Sequence, residues 1–215
     1  MKIAIIGVTG FVGSHISTEL INRKHSVTGI SRKEIQSADS HLTYLALDVS
    51  NVSALAEGLK GHDIVVSAFN AGWTNPNLYA DFLAGSAAIQ EAVKKAGIPR
   101  FIITGGAGSL YDAAGKQVVD SPSFPQEYFT GASAARDYYS SLQTEKDVDW
   151  VFFSPALEMH PGITTGRTGS YRLGKDHPVL DENQRSILSV EDLAVVIADE
   201  IEKPKHHQER FTAAY

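Results

Sequence analysis

A doubly wound parallel α/β sheet is the fold class this sequence predicts, and three observations predict it. Short apolar runs alternate with longer amphipathic stretches from residue 2 to residue 155, the arrangement of linked βαβ units. The runs are nearly continuous in apolar character, as strands covered by helices on both faces must be. The first run also meets its helix at clustered glycines, Gly7, Gly10 and Gly13.

The elements follow in order. "KIAIIG" (2–7) reads as a buried strand, and the stretch 11–25 as a helix with Val12, Ile16, Leu20 and Ile21 at helical spacing. Strands follow over 26–31 and 42–48. A helix over 52–61 ends at a glycine stop. A fourth strand spans 63–69, a long helix with a terminal glycine 77–97, and a fifth strand 100–106. The last pair of this series is a helix over 126–146 and a strand over 148–155. After residue 155 the pattern changes. Residues 159–184 are rich in Gly, Thr and Pro and carry little helical periodicity. "SYRLGK" and "HPVL" (177–180) suggest short strands there. A helix restarts over 189–203, with Ser189 as N-cap and Asp192 three residues on in the manner of a capping box. A final strand spans 210–215. The chain thus reads as one domain over 1–215, with 156–189 forming a small C-terminal lobe on the substrate side.

Composition narrows the function classes. With 215 residues, 43% hydrophobic and 20% charged, the chain can build a substantial core. A net charge of −6 disfavours general nucleic-acid binding. There is no cysteine, so neither a disulfide framework nor a thiolate metal site is expected. No stretch approaches the roughly 20 apolar residues of a membrane span, and the N-terminus opens directly into the first strand. A soluble, cytoplasmic protein is expected, acting as monomer or homodimer on a small molecule, without metal.

The glycine spacing Gly7-x-x-Gly10-x-x-Gly13 points to a dinucleotide. Gly7 lets the chain turn off the strand, Gly10 lets backbone approach a pyrophosphate, and Gly13 lets the helix pack closely on the sheet. The helix N-terminus, including Phe11 and Val12, then offers free amides and partial positive charge. Thr9 adds a hydroxyl. An NAD site usually carries an acid at the tip of the second strand; here the tip is Ser31, Arg32 and Lys33. Arg32 suits a 2′-phosphate and favours NADP, with NAD possible. Asp48 with Val49 fits an adenine-edge contact, or a loop cap.

These stretches together resemble a known family. "IIGVTGFVGSHI", "IVVSAFNAGW", "RFIITGGAGSL", "WVFFSPALEMHPG", "TGRTGSYRLGKD" and "ILSVEDLA" resemble the atypical short-chain dehydrogenases. The resemblance lies with the NmrA-like branch, which contains NAD(P)H-flavin reductases and biliverdin reductase B-like proteins. Relatives often carry an epimerase/dehydratase label. The resemblance implies a Rossmann-type core, bound NAD(P) and hydride transfer to an acceptor.

The wider superfamily places Tyr-x-x-x-Lys on the helix after strand five, where lysine lowers the tyrosine's pKa. On helix 126–146, Tyr128, Tyr138 and Tyr139 are followed four places on by Ala132, Leu142 and Gln143. Tyr171 and Lys175 have the spacing, but Gly169 and Gly174 bracket them, so a lobe strand is the better reading. Without that pair, a flavin or quinone acceptor is favoured, because its ring delocalises the charge that a reduced carbonyl cannot. A sensor that binds NADP without turnover, and a nucleotide-sugar epimerase or dehydratase, are the alternatives.

Ligands bind beyond the C-terminal ends of parallel strands. Those ends carry Ala68 and Phe69, the loop 105–110, and Ser154 with Pro155. Ala68 and Phe69 are expected along the cofactor, and Ser154 and Pro155 at its nicotinamide amide. Ser109 is the candidate catalytic contact to the acceptor, or else a turn serine. Trp73, Tyr111 and Phe124 are candidates for an aromatic wall. His160 is a candidate acid. His206 and His207 read as a solvated pair at a helix end.

Overall fold

The computed structural model describes residues 1–37 and 39–215. Its frame is a single eight-stranded sheet in the order β3-β2-β1-β4-β5-β6-β8-β7. The strands are β1 (Lys2–Ile6), β2 (Ser26–Ser31), β3 (Leu42–Ala46), β4 (Ile64–Ser67), β5 (Arg100–Thr104), β6 (Asp149–Ser154), β7 (Arg172–Gly174) and β8 (Glu209–Ala214). All pairings are parallel except β7 against β8. The helices are α1 (Phe11–Asn22), α2 (Val52–Leu59), α3 (Leu78–Ala96), α4 (Gln126–Leu142) and α5 (Val190–Glu202).

Strand alternation feeds two cores. Ile3 and Ile5 of β1, with Val151 and Phe153 of β6, face α1 and α5 and meet Ile16, Leu20, Leu193 and Ile197. Ala4 and Ile6, with Phe101, Ile103 and Phe152, face α2, α3 and α4 and meet Leu55, Leu59, Ile89 and Tyr138. Each fully buried side chain of this size is worth about 1.5–3 kcal/mol. Both faces of the central strands β1, β4, β5 and β6 are therefore covered, which is why these runs are nearly continuous in apolar character, whereas β3 and β7 at the two sheet ends are partly exposed.

Most element ends follow from local chemistry. α1 stops at Asn22 and not at 25. Lys24 adopts φ +67°, its amide reaches the Ile21 carbonyl, and the His25 amide reaches Leu20, which turns the chain into β2. α3 ends where expected, at Gly97 with φ +67°. β3 ends at Ala46 rather than 48, because the next residues turn away toward Asn51, the true side-chain N-cap of α2. Residues 177–180 form no strand; Pro178 has no amide to donate, and Arg172 bonds the Leu180 carbonyl instead.

The final strand is not an edge. β8 inserts between β6 and β7, so the lobe over 156–189 contributes β7 to the same sheet. The lobe is tied down by α5. Ser189 caps that helix, accepting from the Asp192 amide, and its hydroxyl donates to the Gly166 carbonyl (2.7 Å). The Asp192 carboxylate does not complete a capping box. It accepts from the amides of Thr168 (3.0 Å) and Gly169 (2.7 Å) and the hydroxyls of Thr168 and Tyr215. Burial pushes that carboxyl's pKa up, but these bonds hold it below its ordinary value. Arg167 adds a two-point contact to Glu19 on α1.

Of the histidine pair, His207 is exposed as expected, but His206 is not solvated. His206 Nδ1 lies 2.8 Å from the buried Glu200 carboxylate, and its ring stacks on Phe211 at 4.2 Å. His207 meets Asp149, and Arg100 joins Glu200, Asp149 and the His206 carbonyl at the start of β5. A buried carboxylate requires such partners. Among the described residues, no helix is long and apolar enough to cross a membrane.

Candidate active site

The β1–α1 corner is built as its glycines predict. Gly7 has φ +81°, and a Cβ there would lie 2.5 Å from the Ala68 carbonyl oxygen. A Cβ at Gly13 would lie 2.3 Å from the Gly7 oxygen, so only glycine lets α1 sit this close to the strand. Gly10 is the N-cap. No side chain caps the helix there, and no acid lies in its first turn. The first-turn amides and their positive potential are thus free of competing carboxylate.

Two cavities meet at this corner and share Gly10, Ala68, Phe69 and Asn70. The first, about 630 Å³, is lined by Gly7 and Thr9, by Ser31 and Arg32 from the end of β2, by Asp48 and Val49, and by Asn75 and Asp81. Ser50 donates through its amide (2.9 Å) and hydroxyl (2.7 Å) to Asp48, which holds that carboxyl below its usual range; the Arg32 charge adds to this. Arg32 is exposed, and no hydrogen bond or ion pair engages its side chain among the described residues. Asp81 accepts from the Asn75 amide (2.8 Å).

The second cavity, about 600 Å³, is lined by Phe11 and Val12 of α1, the glycine-rich stretch 104–108, Phe124, Tyr128, and the segment 155–160. Trp73 packs edge-on against Tyr128 at 5.7 Å. Glu158 is engaged at two points by Arg185, whose guanidinium keeps the carboxyl below its usual range. His160 borders the cavity, with Nδ1 accepting from the Gly162 amide (3.1 Å).

Most of the expected residues converge here. Gly7, Thr9, Gly10, Arg32, Asp48, Val49, Ala68 and Phe69 line the first cavity, and Phe11, Val12 and Pro155 the second. Gly13 acts through helix packing and not by lining. Three expectations need correction. Ser109 is fully buried, donates to the Gly106 carbonyl (2.9 Å) and shares a hydrogen bond with Ser154 (2.9 Å). Neither serine lines a cavity; together they brace the loop behind it. Tyr111 belongs to a separate group, its ring 5.1 Å from the buried Arg210 guanidinium. Tyr171 and Lys175 flank the lobe strand β7, as the sequence reading favours; Tyr171 donates to Asp199 (2.6 Å) and Lys175 pairs with Glu209 (2.5 Å), so they form no dyad. Tyr128, Met159 and Asn70 were missed as lining residues.

The residues present fit a nicotinamide dinucleotide. The corner is a cradle that a Cβ would fill, and its cavity is also lined by Arg32, a cation without an ion pair among the described residues, just past the end of β2. Residues 7–204 match the model of a family described as NAD(P)H-binding. The Bacillus subtilis protein YwnB is 37% identical over 99% of this chain and 97% of its own length. A solved Bacteroides thetaiotaomicron protein, provisionally named an epimerase, is 45% identical with a TM-score of 0.90, covering 100% of this chain and 96% of that one. A solved Streptococcus pneumoniae protein, provisionally named an NADH-flavin reductase, is 32% identical with a TM-score of 0.87, covering 100% and 99%.

Proposed function

The chain belongs to the NAD(P)H-binding family, and from that premise we propose that it is an NADPH-dependent reductase of a planar acceptor, a flavin or a quinone. The observation that carries the reading is the pair of cavities joined at Gly10: one with a phosphate-ready corner, the other with an aromatic slot. When bound, the reduced nicotinamide supplies hydride to the acceptor. The first-turn amides of α1 hold the diphosphate, and Arg32 holds a 2′-phosphate through charge-assisted bonds. Ala68 and Phe69 flank the junction, and Pro155 lines the second cavity beside them. Trp73, Phe124 and Tyr128 orient a flat ring, and lobe residues 156–160 close its far side.

The proton chemistry agrees with this choice. Tyr128 borders the slot without a lysine four residues on, and Tyr171 and Lys175 are committed to Asp199 and Glu209. An alkoxide product would lack the Tyr–Lys acid, whereas a reduced isoalloxazine or hydroquinone takes its proton from water. That counts against the epimerase/dehydratase reading. A sensor that binds NADP without turnover shares the first cavity but has no need of the second. The test is to mix the protein with NADPH and a panel of flavins, quinones, aldehydes and sugar nucleotides and follow the nicotinamide absorbance. Loss with flavins or quinones alone is expected. Loss only with sugar nucleotides, or tight NADPH binding with no loss at all, overturns the proposal.

A further inference from the structure

The second cavity carries information about the acceptor's charge. Its lining holds no lysine or arginine; its ionisable members are Tyr128, Glu158 and His160. Glu158 stays ionised beside Arg185, and the bidentate bond commits that guanidinium to the carboxylate. The mouth is apolar where a substituent on a bound ring would emerge: Phe11, Trp73, Tyr128 and Leu157 all border this cavity, and each is more than a third exposed. Wide exposure of large apolar side chains on one rim marks a binding surface for apolar matter. An anionic group brought there loses water to hydrocarbon and finds a carboxylate but no free cation. The first cavity differs, since Arg32 stands unpaired at its end.

Resting on the reductase reading above, we propose that the acceptor is an uncharged planar ring, such as an unphosphorylated flavin or a quinone, and that phosphorylated flavins are discriminated against. Riboflavin and FMN make the matched probe pair, because they share one ring and differ by a phosphate. Two readouts are taken on the whole protein. One is NADPH oxidation as kcat/KM for each flavin. The other is quenching of Trp73 fluorescence at equilibrium without NADPH, with Trp73→Phe as the blank for the buried Trp150. Riboflavin is expected to exceed FMN by about tenfold or more in both. In Leu157→Lys, which places a cation on the rim, the FMN-to-riboflavin ratio is expected to rise by about tenfold. If both flavins quench but neither consumes NADPH, the reductase reading fails, and a tighter riboflavin constant still supports the charge discrimination. Equal or better binding or turnover of FMN overturns it, as does failure of both flavins to quench Trp73.

Discussion

Adding one methyl group at Gly13 and, separately, at Gly10 divides the two tasks of the glycine corner. At Gly13 an ideal Cβ lies 2.3 Å from the Gly7 oxygen, 2.9 Å from the Gly7 carbonyl carbon and 3.0 Å from the Val8 Cα. A relaxed carbon–oxygen contact is about 3.3–3.6 Å, so the overlap is about 1 Å. All three neighbours are backbone, and no rotamer relieves it. α1 must move off β1 and lift Ile16 and Leu20 from their core. Overpacking of this kind costs about 1–3 kcal/mol. At Gly10 the added Cβ meets only the Gly7 oxygen, at 3.3 Å. Alanine in place of glycine at an N-cap costs about 1 kcal/mol or less. That methyl, however, occupies space where the two cavities meet and a diphosphate must approach the amides. Urea unfolding and titration calorimetry with NADPH are the assays. Gly13→Ala is expected to lose about 2 kcal/mol of stability, whereas Gly10→Ala keeps its fold and loses NADPH affinity by about tenfold or more. Parental NADPH affinity in Gly10→Ala would refute the diphosphate placement. Parental stability in Gly13→Ala would refute the packing argument.

Other expectations are equally concrete. Arg32→Asp should weaken NADPH by about tenfold to a hundredfold, the worth of a charge-assisted bond, and leave NADH nearly unchanged; calorimetry with both nucleotides decides, and equal losses remove the NADP preference. Ser109→Ala should lower stability by about 1 kcal/mol while kcat holds, because its hydroxyl is spent on Gly106 and Ser154; a collapse of kcat in a folded variant would return Ser109 to the site. Glu145 on the loop after α4 is pushed up by burial, yet the Asp147 amide, Gln90 and Lys94 bring its pKa down to about 2 from 4.5. A depressed carboxylate stabilises the fold above its unfolded pKa and loses that contribution as pH falls through the folded value. Between pH 4.5 and about 2, the parent should therefore lose more stability than Glu145→Gln, measured by urea midpoints; parallel losses would contradict the assignment.

The corner at Gly7, Gly10 and Gly13 was readable because its chemistry is local: a turn, a backbone approach and a helix start all fall within one window. The apolar runs of β1, β4, β5 and β6 were readable for the same reason. Ser109 stayed open between an acceptor contact and a turn serine because what buries it is remote; the turn reading holds. Its carbonyl is taken by Arg210, 101 residues away on β8, which lies between β6 and β7. Asp192 has the spacing of a capping box, but lobe amides from Thr168 and Gly169 outbid the local one. His206 differs from the expectation for a local reason, since Glu200 on α5 and Phe211 on β8 take its ring, while His207 stays exposed beside Asp149. For Ser109 and Asp192 the sequence pattern was sound locally and a long-range polar partner decided the outcome.

The position of β8 bears on aggregation. Its partner β6 presents Val151 to Ser154 as an open ladder until residues 209–214 arrive. A chain in which β8 has not docked therefore displays an unpaired, apolar strand border at β6, the kind of template that recruits neighbouring chains. Docking of β8 closes that border and brings Arg210 to the loop behind the second cavity. Closure of the β6 border and bracing of that loop thus depend on the same strand.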